Sequence, residues 1–599
     1  MSTISIENVA KSLGSLPAAA FEYLLDAVQR SILFCDVLRQ RGDNYLKHQE
    51  RGQPPVLEFD YETIIDGRTL ERPVNYALLQ ITPDPDVPTD PTKRPYVVVD
   101  PRAGHGPGIG GSKYESQVGV ALRAGHPVYF VTFFPKPEPG QKLADVAAAE
   151  ALFIEEVARR HPEAQGKPCV IGNCQAGWAV AGLAALHPDI MGPVILTGAP
   201  LSYWSGASGQ NPMRYSGGML GGKWLESMTC DLGNGLFDGA HLVSNFENLD
   251  PANTFWKKYY NLYSKIDTEP PRFLGFETWW GGYFLMNREE IDAIVSELFI
   301  GNKLARQQIM TPQGTPLDLR NIRSPIVVFA SWGDNITPPQ QALNWIEDVY
   351  GDEQGIIAND QVIVYLLHED VGHLGIFVSG RVATKEHSEL IGTLEMMDSL
   401  PAGLYEMIIE RKGASAKRAD LEPGQYLVRF EARKMDDIRA LDDTRKEEES
   451  FQTVDAVSQL NDRLYKTFVS PWVQAMTTPQ SAELLRRLHP LRLQHTCFSC
   501  RNPAMVALPP LAEWVRQTRR PVAAGNPFLA MEKMASAAIV AAWDTFRDVR
   551  DTWSEGIFQL AYGPTGLGAI FPPKPWTRPG ATMRELPAPI APDAYTAGG

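Results

Sequence analysis

The chain has 599 residues and an apolar content of 44%, enough for a large core and for more than one structural unit. Its 56 basic and 71 acidic side chains leave a net charge of −15, which argues against wholesale nucleic-acid binding. Six cysteines form no disulfide framework in so long a chain and point to a reducing compartment, and no run approaches the roughly 18 apolar residues of a membrane-spanning helix.

The opening residues, MSTISIENVAKSLGS, lack the basic-then-apolar pattern of a secretory leader, so a cytoplasmic location is expected. Phe21, Leu24, Leu25, Val28, Ile32, Leu33 and Leu38 recur at helical spacing, which predicts a helix packed on the main domain. Residues 56–59 and 74–81 read as antiparallel strands entering a sheet. Residues 96–111, YVVVDPRAGHGPGIGG, read as a strand followed by a glycine-rich loop. Gly106, Gly108 and Gly111 match Gly-x-Gly-x-x-Gly, yet the next strand, 128–134, ends at Pro135 without the acidic residue that would hold a ribose. A dinucleotide site is therefore set aside. A crossover helix over 142–160 and a strand over 194–197 complete a rhythm that predicts a mostly parallel sheet with helices on both faces.

Within that rhythm lies KPCVIGNCQAGWAVAGLAAL, residues 167–186: a short apolar strand, a tight turn holding Cys174, and an alanine-rich helix. Small residues flank the turn (Gly172, Ala176, Gly177), as they must where a sharp turn brings strand and helix close. The stretch resembles the nucleophile elbow of the α/β-hydrolases with cysteine in place of serine, and a helix N-terminus favours the thiolate. Cys174 is the candidate nucleophile; the alternative is an inert buried cysteine. In that fold the N–H after the nucleophile, here Gln175, shares the oxyanion with a backbone N–H from the loop after the earlier strand. Arg102, Ala103 and Gly104 are the candidate second donors, and the sequence does not choose among them.

From residue 198 to about 321 the strand rhythm stops and Trp, Tyr, Gly and Met accumulate, which reads as a cap inserted over the site. Strands resume at 326–330, followed by SWGDNITPP with Asp334 just past a strand end. QVIVYLLHEDVGHLGIF then gives a strand over 362–367 and His373 after Gly372, with His368 as the rival base. The order nucleophile, acid, histidine is the one expected of this fold. Beyond it, 404–410 and 425–433 alternate as a hairpin around a polar loop, and 436–450 is a charged helix or linker. Residues 454–488 and 529–560 are helical in pattern, the second with Trp543, Phe546, Val549 and Trp553 on one face. Cys497 and Cys500, with His495 nearby, form a Cys-x-x-Cys lacking a second pair for a metal site, and are read as structural.

GNCQAG, SWGDNITPP and VGHLGIF, together with LDPANTFWKKYYNLYSKIDTEPPRFLGFETWW and GTPLDLRNIRSPIVVFAS, resemble the catalytic domain of the polyhydroxyalkanoate synthases over about half the chain. The chain differs in its Ala176, its short N-terminal region and its roughly 200 residues past His373, so it is most similar to the large synthase-like relatives. The resemblance implies Cys174 as nucleophile, Asp334 as acid and His373 as base, acting on a 3-hydroxyacyl-CoA through an acyl-S-Cys intermediate. It implies no cofactor and no metal, a polymer granule surface as a partner, and a homodimer. The alternatives are a thioesterase or polyester depolymerase on the same residues, and a non-catalytic granule-associated or scaffold protein. The expected fold is α/β, an α/β-hydrolase with a large cap insertion and a mainly helical C-terminal extension. The expected divisions are a helical segment at 1–52, the core at 53–198 and 322–400, the cap at 199–321, a small hairpin region and linker at 401–450, a helical region at 451–570 and a Pro-rich irregular tail at 571–599.

Overall fold

The apolar runs YVVV, VYFVTF, VILT and IVVFAS are buried at every position, which only the middle of a sheet covered on both faces provides. The computed structural model describes residues 6–574 apart from 313, 412–425 and 443, with side chains from residue 16 onward. The loop expected between the hairpin strands and the tail from residue 575 lie outside the described residues. In chain order the strands are β1 (Tyr61–Asp66), β2 (Tyr76–Ile81), β3 (Tyr96–Val99), β4 (Val128–Phe133), β5 (Cys169–Asn173), β6 (Val194–Thr197), β7 (Leu236–Asp238), β8 (Leu285–Asn287), β9 (Ile326–Ser331), β10 (Val362–His368), β11 (Gly403–Arg411) and β12 (Tyr426–Ala432). Ten of them form one sheet in the order β1-β2-β4-β3-β5-β6-β9-β10-β11-β12. From β4 to β11 every neighbouring pair is parallel, and β1, β2 and β12 add antiparallel pairings at the two sides.

The described chain opens with the long helix α1 (Ile6–Glu50), and three helices, α2 (Gln117–Arg123), α3 (Leu143–Arg160) and α4 (Gln175–Leu186), pack against the sheet. Alternate strand residues divide between two cores. Val97, Val131, Val170, Leu196 and Val328 pack with α3 and α4, whereas Val98, Phe130, Ile171, Ile195 and Phe329 pack with α2 and the helix Ser388–Met397. This is the α/β-hydrolase fold, with a helical region after the sheet.

Three expectations are corrected. Residues 56–59 are not a strand, because their backbone turns to the glycine-rich loop: Val56 N donates to Pro107 O at 2.9 Å and Glu58 N to Gly111 O at 3.0 Å. The first sheet strand is β1 instead. The C-terminal hairpin forms as expected, β11 pairing antiparallel with β12, and because β11 also pairs in parallel with β10 it extends the main sheet. The stretch between β6 and β9, expected to lack strand pairing, contains the short antiparallel pair β7–β8 among its helices. Finally, α1 packs on the helices Pro270–Trp280 and Leu508–Gln517 through Leu33, Val37 and Leu38, while Phe21, Leu24 and Val28 stay exposed. At that seam a Cβ on Gly42 would lie 1.9 Å from Phe498 O, so only glycine lets α1 approach so closely.

Candidate active site

Register brings the candidate residues to one edge. Val99 of β3 pairs with Gly172 of β5, and Ser331 of β9 with His368 of β10, so the segments after these strands emerge side by side at their carboxyl ends. Open α/β sheets bind their ligands there.

Cys174 sits between β5 and α4 with φ 49° and ψ −122°, a left-handed backbone that a non-glycine residue adopts only under constraint. Its N–H donates to Thr197 O at 2.8 Å and its carbonyl accepts from Gly177 N at 3.0 Å, which pins the turn on both sides. A Cβ on Gly172 would fall 2.7 Å from Gly177 Cα, and one on Gly177 would fall 2.1 Å from Ala199 Cβ. The close approaches therefore fall at 172 and 177, so the methyl of Ala176 is accommodated in the core. Asn173, just before Cys174, exchanges two amide hydrogen bonds with Gln117 of α2 at 3.0 and 2.7 Å, all of it buried.

His373 opens a short helix after β10, and its Nε2 lies 3.1 Å from Cys174 Sγ. Its Nδ1 lies 2.7 Å from Asp334 Oδ2. Asp334 Oδ1 accepts from Ile336 N and Thr337 N, both at 2.8 Å, so the carboxylate cannot rotate away. All three side chains are at most 5% exposed. Burial by itself would depress the His373 imidazole, but the Asp334 carboxylate and the Cys174 sulfur hold its pKa well above the ordinary value. The carboxylate can accept a hydrogen bond and cannot donate one, so Nδ1 carries the proton and Nε2 faces sulfur as the acceptor in the neutral ring. His368, the rival, is engaged elsewhere: its Nδ1 accepts from Asp370 N and Val371 N, and Glu386 lies 3.6 Å from its Nε2.

Of the oxyanion candidates, Gln175 starts α4, so its N–H has no acceptor within the helix. Ala103 N turns back onto Pro101 O at 3.0 Å, which leaves the Arg102 and Gly104 N–H groups as the candidates for second donor. The Arg102 guanidinium points away, to Asn75 Oδ1, Leu285 O and buried Glu290. Gly104 has φ +99°, and a Cβ there would strike Gly239 O at 2.4 Å, so the loop after β3 is held directly against the inserted region. In the glycine-rich stretch, Gly108 N and Ile109 N donate to Asp100 Oδ2 at 2.6 and 2.7 Å. Two N–H groups that a phosphate would need are thus already occupied.

Four further side chains complete the site that residue pattern alone did not reveal. Gln175 Oε1 accepts from Trp178 Nε1 at 2.8 Å and from the Tyr203 hydroxyl at 3.0 Å, fixing the side chain of the candidate oxyanion residue. Asn302 Oδ1, from the inserted region, receives Tyr203 N at 2.8 Å. His105 packs on Trp279 and Trp280, its Nδ1 donating to Gly106 O at 2.9 Å, and burial pulls its pKa down to about 4. The helical i, i+3 spacing of Gln175 and Trp178 was the one signal in the sequence for this cluster. A cavity of about 550 Å³ opens elsewhere, between Trp204, Arg306, Arg445 and Glu448.

A family model described as a protein of unknown function, DUF3141, matches residues 26–589. The chain belongs to this family. A relative from Rhizobium meliloti, described as an uncharacterized protein in the ackA 5′ region, is 54% identical over 555 residues, covering 92% of this chain and 75% of its own. Poly(3-hydroxyalkanoate) polymerase 1 of Ectopseudomonas oleovorans is 24% identical over 146 residues, 24% of this chain and 26% of that protein. Among solved structures, 2-hydroxy-6-oxo-6-phenylhexa-2,4-dienoate hydrolase from Rhodococcus sp. strain RHA1 aligns over 57% of this chain and 100% of its own, with a TM-score of 0.31 and 12% identity. Alpha/beta hydrolase domain-containing protein 10 from mouse aligns over 57% of this chain and 98% of its own, with a TM-score of 0.30 and 12% identity. No helix among the described residues is long and apolar enough to cross a membrane.

Proposed function

We propose that this protein is a cysteine-nucleophile acyltransferase that takes the acyl group of a 3-hydroxyacyl-CoA onto Cys174 and passes it to a hydroxyl acceptor. The observation that carries the reading is the buried run of hydrogen bonds from Asp334 through His373 to a cysteine on a strained elbow. The partial identity with a poly(3-hydroxyalkanoate) polymerase supports the substrate class, and a granule surface is the partner that goes with it.

His373 Nε2 takes the thiol proton, and the Cys174 thiolate attacks the thioester carbonyl. Gln175 N–H and the N–H of Arg102 or Gly104 hold the oxyanion. Collapse breaks the bond to CoA, whose thiolate leaves with the proton from His373. In the second half His373 takes the acceptor's hydroxyl proton, the new ester bond forms, and the Cys174 thiolate departs beside the imidazolium. A thioester on the enzyme stays close in energy to the CoA thioester, so the group remains activated for transfer. The insertion over the site, 199–321, acts as the cap that keeps water from the acyl-enzyme.

The test incubates the purified protein with 3-hydroxybutyryl-CoA and follows free CoA and intact mass, with Cys174→Ala beside it. Release with an acyl adduct on the wild type alone is expected, and the products then separate polymer or ester from free acid. No release and no adduct across several chain lengths refutes the thioester reading and favours a scaffold.

A further inference from the structure

The helix Pro527–Tyr562 runs for 36 residues and packs by one side only. That side is anchored by Ser536, whose hydroxyl receives Trp256 Nε1 at 2.9 Å, by Glu532 on Arg30, and by Phe558 on Tyr215 and Phe451. Trp543, expected on the same face as Phe546, Val549 and Trp553, turns inward onto Phe255. Helical geometry explains the difference, since residue 543 lies nearly a quarter turn from the mean direction of the other three.

The outward side is apolar from end to end. Met531, Met534, Phe546, Val549, Trp553, Ile557 and Leu560 are each between 44% and 72% exposed. Ala538 and Ala542 fill the gap between Met534 and Phe546 and are exposed too. The stripe is about 43 Å long at 1.5 Å per residue. Its seven large side chains present roughly 900 Å² of surface, against the ~800 Å² per partner of a standard stable interface.

We infer that this stripe is the contact between two copies of the chain, with the two helices antiparallel across a two-fold axis. The residue positions carry the inference, because they are symmetric about a point between Thr545 and Phe546. A two-fold there sets Met531 against Leu560, Met534 against Ile557, Ala538 against Trp553 and Ala542 against Val549 of the second copy. The small residues of one half meet the large residues of the other, as an isologous interface requires. A basic-flanked helix would instead suit an anionic lipid surface, but this one carries three basic and five acidic side chains.

Analytical ultracentrifugation of the full chain at micromolar concentration tests this independently of Cys174 chemistry. The wild type should sediment as a dimer. Trp553→Glu and Ala538→Glu should each raise the dissociation constant at least a hundredfold, whereas Trp472→Glu, on an equally exposed tryptophan of another helix, should leave it unchanged. In a Cys497→Ser/Cys500→Ser background, Thr545→Cys should cross-link two chains under mild oxidation and Met531→Cys should not. A monomeric wild type overturns the inference, as does a dimer that either glutamate leaves intact; flotation of such a monomer with neutral vesicles would assign the stripe to an apolar surface instead.

Discussion

Replacing Asp334 by asparagine changes one atom and reverses a proton. The two N–H groups of Ile336 and Thr337 at 2.8 Å demand an acceptor, so the asparagine oxygen stays where Oδ1 is and its NH₂ turns to His373 Nδ1. Nδ1 must then accept, which moves the ring proton to Nε2, 3.1 Å from Cys174 sulfur. The neutral ring can no longer take the thiol proton. The imidazolium also loses its carboxylate counter-charge, leaving only the Cys174 sulfur against burial, so the His373 pKa should fall from its raised value. The same inversion costs about 10⁴ in a serine enzyme. A thiol is a few per cent ionised at pH 7 without help, so the expected loss here is roughly 10²–10³, or about 3–4 kcal/mol of barrier. Single-turnover labelling of Cys174, by a thioester and by iodoacetamide, followed by intact mass, measures it. The second reagent makes the outcome independent of the true substrate. Less than a tenfold change with both reagents, in a variant that melts within a few degrees of wild type, would refute the assigned tautomer.

Packing and burial carry three more predictions. Gly177→Ala should lower the urea midpoint by the equivalent of about 2–3 kcal/mol, with Ala199→Gly restoring part of it, because the two methyls would meet at 2.1 Å. Gln117→Ala should cost about 2–3 kcal/mol and slow Cys174 labelling, since it leaves the buried Asn173 amide without its reciprocal partner. Above pH 6.5 His105 is neutral folded or unfolded; below it only the unfolded chain takes the proton readily, so stability is lost as pH falls toward its folded pKa of about 4. By pH of about 4.5 the loss should be about 2.5 kcal/mol. Denaturation at both pH values should show that difference shrinking in His105→Phe.

The parallel strands were legible because each is a short apolar run bounded by turns, a pattern that does not depend on distant partners. The elbow was legible for a related reason, as its small residues answer a local steric demand. Residues 56–59 misled because alternation specifies an extended backbone but not its hydrogen-bonding partner, here the loop at 107–111. Gln117, Tyr203 and His105 lie 57, 29 and 69 residues from Cys174 in sequence and reach the site only through tertiary packing, which periodicity does not encode. On the last long helix the positions were read as one face, yet a quarter turn separates the inward Trp543 from the outward Phe546, Val549 and Trp553.

The C-terminal region is joined to the inserted region and to α1 by mostly buried charge as well as by apolar contact. Arg492 pairs with Asp238 at 2.6 Å, Tyr465 donates to Asp231 at 2.7 Å, Arg519 reaches both Asp26 and Asp267, and Glu532 holds Arg30. Pairs of this kind add little net stability, but each is costly to break singly, so they fix one arrangement against nearby alternatives. Asp238 closes β7, directly before the Gly239 that touches Gly104 of the loop after β3. The arrangement thus runs from Arg492 in the C-terminal region, through the inserted region, to the loop after β3 that carries the candidate oxyanion donors. Under the proposed chemistry, a cap fixed in this way serves transfer better than hydrolysis: it keeps the oxyanion donors in place while the acyl-enzyme waits, and it makes entry selective for the acceptor over water.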